Sequence, residues 1–235
     1  MNKNKQIVEF FGAAGVGKTM YCKNIIYELK KENYIKTEDF LKYNSKNLTK
    51  HIFKIYNILL LTVKNFKAIV KTLKLVIASK QNSSIDFFKN LYNMLYIVSI
   101  INQDQKNNKI TFFDQGILQS IVSLKLSSKR NIDTYIIDYL NQIIEKKIII
   151  VIVSAPQEVI FKRLNKRKNK LSRIEKNNTK YTFELSMDKY KEVKKNILGS
   201  IKNNLIDIIR IESLTEFDII HNNNEIKKEI LKKLN

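Results

Sequence analysis

Gly12-Ala13-Ala14-Gly15-Val16-Gly17-Lys18-Thr19 sets four residues between Gly12 and Gly17, directly ahead of a lysine and a threonine. That spacing is the pattern of a phosphate-binding loop. Its glycines let backbone N–H groups turn inward on phosphate oxygens. Lys18 brings a point charge to the β and γ phosphates, and Thr19 offers a hydroxyl to Mg²⁺ at a helix N-terminus. The chain has only five glycines, and three of them stand in this octapeptide, so a chance match in a glycine-rich loop is a poor account of it.

A loop of this kind needs a second acid on a neighbouring strand to hold the metal, and Asp114, at the end of the β-prone run Ile-Thr-Phe-Phe, is the candidate. An Asp at a strand end is also a common helix cap. The other strand ends offer less: residues 148–154 carry no acid, and Asp207 lies inside its strand rather than at the carboxyl end, where ligands bind in such sheets. Three of the five arginines, Arg163, Arg167 and Arg173, fall within eleven residues of a chain whose usual cation is lysine. Arg163 and Arg167 share one face of a helix, with Arg173 in the polar stretch beyond. Planar guanidinium forks at this spacing match the three oxygens of a transferring phosphoryl group; the alternative is a solvated basic helix.

These residues require particular elements to position them. Residues 6–11 form a short β-prone run, and the apolar spacing after Thr19 is helical to about residue 33. A second strand is expected over 34–40, and two basic amphipathic helices over 48–78 and 83–101, the latter capped by Ser84. Strand 110–113 leads into helix 116–126, and a further helix begins near Asp133. Residues 148–153 are six consecutive β-branched residues, the signature of a strand buried on both faces of a parallel sheet. Helices follow over 157–168, 186–203 and 223–234, with a last strand at 205–211. Strands alternating with helices predict a doubly wound α/β fold.

Composition bounds the remaining choices. At 235 residues and 44% hydrophobic content the chain suits one domain with a real core. The single cysteine, Cys22, excludes a disulfide framework or a cysteine zinc site. No apolar stretch is long enough to cross a bilayer, and the expected setting is cytoplasmic. The net charge of +21 invites a polyanion partner, yet Lys, Ile and Asn make up 102 of the 235 residues, a bias that supplies lysine as ordinary solvated surface. The charge is uneven: residues 40–110 hold 12 Lys against 2 acids, and residues 161–204 hold 14 Lys or Arg against 4 acids.

The order of phosphate loop, strand ending in Asp114, strand 148–154 followed by Ala155-Pro156-Gln157-Glu158, then Arg163-Leu164 and Ser172-Arg173-Ile174-Glu175, resembles the thymidylate kinase-like and deoxynucleoside kinase-like group of P-loop kinases. The resemblance spans most of the chain and implies a five-stranded parallel sheet and ATP with Mg²⁺. It also implies a single domain over 1–235, with a basic helical acceptor-side insertion over 40–109 and a mobile lid over 163–180 whose arginines reach the phosphates. The sequence departs from the group at Asp114-Gln115-Gly116, where an Asp-Arg pair is usual, and no arginine stands between Met1 and Lys129. Gln115 and Gln119 are candidates for hydrogen bonding to a sugar or base, and Glu38 or Asp39 for assisting an alcohol acceptor. Neither histidine, His51 or His221, has catalytic company.

The expected activity is thus a Mg²⁺-dependent transfer of the γ-phosphoryl of ATP to a small-molecule acceptor, nucleoside or nucleotide favoured. The rival is an NTP-dependent switch or nucleic-acid-associated ATPase gripping a polyanion with its basic helices. Placement of charge separates the two. A kinase converges its basic segments on the phosphates, whereas a binder lays Lys54, Lys64, Lys67, Lys71 and Lys74 along an outer stripe.

Overall fold

The computed structural model describes residues 6–31, 47–102, 110–145, 147–166, 180–200, 206–213 and 216–234. Strands β1 (Gln6–Phe11), β2 (Ile110–Phe113), β3 (Ile148–Ser154) and β4 (Ile206–Glu212) form one parallel sheet in the order β2-β1-β3-β4. β1 sits between β2 and β3, with Glu9 opposite Phe113 and Ile150. The sheet therefore has four strands among the described residues rather than five, because the strand expected over 34–40 lies outside them.

β3 is buried from Ile148 to Val153, as unbroken β-branched runs in parallel sheets are. One face of the sheet packs on α1 (Lys18–Lys31), α7 (Gln157–Asn165) and α9 (Glu216–Leu234) through Val8, Phe10, Ile25, Leu29, Ile160 and Ile230. The other face packs on α4 (Ser84–Asn102), α5 (Ile117–Leu126) and α6 (Asp133–Ile143) through Ile7, Phe11, Val98, Ile117, Ile121 and Leu140. Helix α8 (Lys180–Glu192) serves both sides, with Phe183 and Met187 in the first cluster and Tyr190 in the second.

Three element boundaries depart from the sequence reading. The helix expected over 48–78 is two helices, α2 (Asn47–Lys64) and α3 (Phe66–Ala78), broken at Asn65. The Asn65 side chain accepts the Ala68 N–H at 3.1 Å and donates to Asn102 at 2.8 Å, so it caps α3 while tying the turn to the end of α4. α8 starts at Lys180, not 186, and gives way to a π-helical turn over Val193–Ile197. α9 starts seven residues before 223, running through Asn222-Asn223-Asn224. Burial of Asn223, Ile226 and Ile230 against α1 and β4 outweighs the poor helix propensity of asparagine.

A buried cation ties the second layer together. Lys125 of α5 donates to Asp133 at the start of α6 and to Glu192 at the end of α8, the latter at 2.6 Å. Burial works against the Glu192 carboxylate, but hydrogen bonds and charge from Lys125 and Lys189 outweigh it and hold the group below the usual carboxylate range.

Candidate active site

The phosphate loop runs from the end of β1 into the first turn of α1, and its shape is written in its glycines. Gly15 and Gly17 have φ of +90° and +100°, where a side chain is strained. At Gly15 a Cβ would also press on Leu164 and Ile160 of α7. Lys18 is nearly buried. Its ammonium donates to the carbonyls of Gly12 at 2.6 Å and Ala13 at 2.8 Å, which holds the charge inside the loop where phosphate oxygens would compete for it.

Residues 95 positions apart meet at the mouth of this loop. The Thr19 hydroxyl donates to Asp114 Oδ2 at 2.8 Å. Asp114 Oδ1 is buried with no hydrogen-bond partner. The pairing of β1 with β2 causes the meeting, because it sets the carboxyl end of β2 beside the loop that leaves β1. A hydroxyl and a carboxylate with an unmatched buried oxygen are hard donors of the kind Mg²⁺ accepts, and such a site leaves its remaining positions to water and phosphate. Among the described residues no group of three His, Cys, Asp or Glu could hold a metal by itself. Burial, and after it the Asp114 charge, push the thiol of neighbouring Cys22 up, so this cysteine is inert packing.

Glu9 supports the site from beneath, and the sequence reading did not single it out. It is a fully buried carboxyl on β1, and Oε1 accepts the N–H of Leu118 at 2.9 Å and of Gln119 at 3.2 Å. It thereby caps α5 and fixes the turn 114–116 that carries Asp114. Gly116 is obligatory there, since a Cβ would lie 2.4 Å from the Glu9 carboxyl carbon. Burial pushes Glu9 up to about 7, against the lowering effect of the backbone N–H groups of Gln119, Leu118, Ile117 and Gly116. The available signal was a lone acid inside an otherwise apolar strand.

Two further polar groups lie unmatched on the same side of the sheet. Gln119 Oε1 and the Tyr190 hydroxyl are buried without hydrogen-bond partners, and Tyr190 packs on Phe11, the residue before the phosphate loop, at a ring separation of 4.7 Å. Tyr190, Phe11, Ile117 and Leu118 belong to one cluster, so these groups face the α5 side of the site. Tyr190 was not expected from sequence, because nothing in its spacing marks it. Gln115, the companion candidate, is exposed.

Arg163 is placed at the loop, but not as a free lid arginine. Its guanidinium donates to Val16 O and to the Ser213 hydroxyl, both at 3.3 Å, and so braces the phosphate loop against the turn after β4. Arg167, Arg173, Glu38 and Asp39 lie outside the described residues, as does most of the lid expected over 163–180. Asp207 is occupied far from the loop, paired with Lys147 at 2.7 Å.

α2 and α3 pack chiefly on α4 and α6. Of the lysines expected along an outer stripe, Lys64, Lys67 and Lys74 are exposed, while Lys54 turns onto the rings of Tyr92 and Tyr96, at 5.5 and 4.9 Å. Among the described residues no helix is long and apolar enough to cross a membrane.

No protein-family model matches the chain, and no curated protein sequence matches it. Solved structures do. A deoxyadenosine kinase from M. mycoides with bound dATP aligns over 94% of this chain and 98% of its own, at 16% identity and a TM-score of 0.51. The chain shares the fold of that enzyme. The same enzyme with bound dCTP aligns over 94% of this chain and 99% of its own, at 14% identity and a TM-score of 0.49. Within the fold, the Thr19 and Asp114 contact lies at the carboxyl ends of β1 and β2, where open parallel sheets bind ligands.

Proposed function

We propose that the protein is a Mg²⁺-dependent kinase that moves the γ-phosphoryl group of ATP to the hydroxyl of a nucleoside, with a nucleotide as the second choice of acceptor. The observation that carries this reading is the Thr19 and Asp114 pair with its unmatched Asp114 oxygen, set beside the buried Lys18. The nucleoside is favoured by the fold neighbour, a deoxyadenosine kinase, and by the lack of any arginine from Met1 to Lys129 to grip an acceptor phosphate.

In this mechanism the loop N–H groups and Lys18 bind the β and γ phosphates, while Thr19 and Asp114 hold the metal directly or through water. Bound Mg²⁺ supplies charge neutralisation along the phosphate chain. The acceptor oxygen bonds to Pγ as the bond from Pγ to the β–γ bridging oxygen breaks, the hydroxyl proton leaves to a base, and ADP departs. Glu38 and Asp39 are the proposed base candidates. Arg163 orients the loop, and Arg167 and Arg173 in the 163–180 lid supply planar donors to the phosphoryl group. Gln119 and Tyr190 offer unmatched polar atoms to an acceptor, with the 40–109 insertion beside it.

The test is ADP release measured against panels of nucleosides, nucleotides and sugars, with and without Mg²⁺. A nucleoside-dependent, Mg²⁺-dependent signal is expected. ATP turnover that ignores every small acceptor and rises with added nucleic acid would overturn the reading.

A further inference from the structure

Lys125 is a buried charge with no part in the mechanism above. It stands in the last turn of α5, 4% exposed, on a helix whose Ile121, Val122 and Leu124 belong to the apolar cluster. A cation suits a helix C-terminus, yet one at the surface would serve that end as well. Nor does folding demand it, because apolar packing of similar volume in place of a buried ion pair is often neutral or stabilising. What a fully bonded buried charge fixes is geometry: moving its partners away leaves it desolvated and alone.

The partners show which geometry. The ammonium donates to Glu192 Oε1 on α8, at 2.6 Å, and to Asp133 Oδ1 on α6. Each acid is held by a further group. Lys189 donates to Glu192 Oε2 at 2.9 Å, and Asn196 donates to Asp133 Oδ2 at 3.2 Å. α5 carries Gln119 six residues before Lys125, and α8 carries Tyr190 two residues before Glu192. Gln119 Oε1 and the Tyr190 hydroxyl are buried atoms without partners. The link from Lys125 to Glu192 therefore joins the two helices that bear these atoms, whereas the link to Asp133 joins α5 to a helix that bears neither. Directly after Glu192 the chain enters the π-helical turn Val193–Ile197, a departure from the regular ladder of the kind frequent at functional sites. The ion pair thus grips α8 at the point where its regular hydrogen bonding stops.

We propose that Lys125 is a positioning residue for the phosphoryl acceptor: through Glu192 it sets the separation of α5 and α8, and with it the fit of a nucleoside against Gln119 and Tyr190. The proposal rests on the nucleoside-kinase reading above. Two helices pinned by one ion pair admit a ligand by size, so the link also sets the preference between purine and pyrimidine nucleosides. Lys125 itself touches neither ATP nor acceptor.

The test compares matched truncations, Glu192→Ala and Asp133→Ala, in the full chain, by steady-state kinetics with ATP, Mg²⁺ and either deoxyadenosine or deoxycytidine. Glu192→Ala should raise the acceptor KM about ten-fold and bring the kcat/KM ratio of the two nucleosides about five-fold nearer to one, with the KM for ATP within about two-fold of wild type. Asp133→Ala removes the other acid of the same cation, and should leave all three values within about two-fold whatever it does to the melting temperature. Neither KM nor the selectivity ratio depends on how much of the protein is folded, so lost stability alone does not imitate this result. Lys125→Met should reproduce Glu192→Ala. If it fails to fold, the two acids decide, since their side chains are partly exposed. An unchanged acceptor KM and ratio in Glu192→Ala, or equal changes in the two truncations, would overturn the proposal while leaving the kinase reading intact. A wild-type chain that phosphorylates no nucleoside would overturn the nucleoside reading itself, and this proposal with it.

Discussion

The end of the sheet at β1 and β2 and the helical layer of α2 to α4 handle polarity in opposite ways. Around the phosphate loop, polar groups are buried and left partly unmatched: Asp114 Oδ1, Gln119 Oε1 and the Tyr190 hydroxyl lack partners, and Glu9 is a buried carboxyl. In the helical layer the buried polar groups are matched, as Asn90 is by Gln81 at 2.6 Å and Ser127 at 2.9 Å, while large apolar side chains stand in the open. Unmatched buried polar atoms cost folding energy unless a ligand completes them, and exposed apolar stripes cost solubility unless a partner covers them. The first region therefore suits the small polar ligand of the proposed function, while the second leaves an apolar stripe in the open.

The strongest way to break this contrast is Lys18→Ala. Turnover should fall by about 10³-fold or more, with a much smaller change in melting temperature, since the ammonium bonds carbonyls of the loop it serves. Equal turnover in folded protein would remove the kinase reading. Asp114→Asn keeps the shape and removes the charge, so turnover should drop by about 10²-fold and recover only in part with excess Mg²⁺. A mutant that unfolds while its folded fraction keeps full specific activity would make Asp114 a helix cap.

Arg163→Lys should lower turnover by about ten-fold, because one ammonium does not reproduce the planar fork shared between Val16 and Ser213. Steady-state kinetics checks this, and a silent change would show the brace to be dispensable.

Glu9→Gln tests the buried carboxyl through pH. Its folded value of about 7 lies above the 4.5 of an ordinary carboxyl, so the folded state binds the proton more tightly than the unfolded one. The stability this supplies is fully present below pH 4.5 and is lost as pH rises through about 7. Melting curves across that window should fall for the wild type relative to Glu9→Gln, and parallel curves would show that Glu9 does not titrate there. The smallest effect is expected in the helical layer. Lys64→Ser with Lys67→Ser should change turnover less than about two-fold, as exposed charges remote from the loop do; a larger loss would join the two regions electrostatically.

Some of this molecule is local, and its sequence carries it. The phosphate loop is legible because Gly15 and Gly17 must adopt positive φ and Lys18 and Thr19 must follow at once, all within eight residues. β3 is legible because burial on both faces leaves room only for apolar residues. The break at Asn65 and the early start of α9 were not, because a cap reaching Asn102 and a buried face on α1 are contacts with distant residues. Asp114 could be nominated by its place after a strand, yet its contact with Thr19 exists only because β2 pairs with β1. Glu9, Tyr190 and the brace from Arg163 to Ser213 likewise depend on which helix end, ring or turn the fold brings near. Backbone geometry and burial are constraints on neighbours in the chain, and they show in composition and spacing. The polarity of a site is a constraint on neighbours in space, and only the packed sheet and helices decide it.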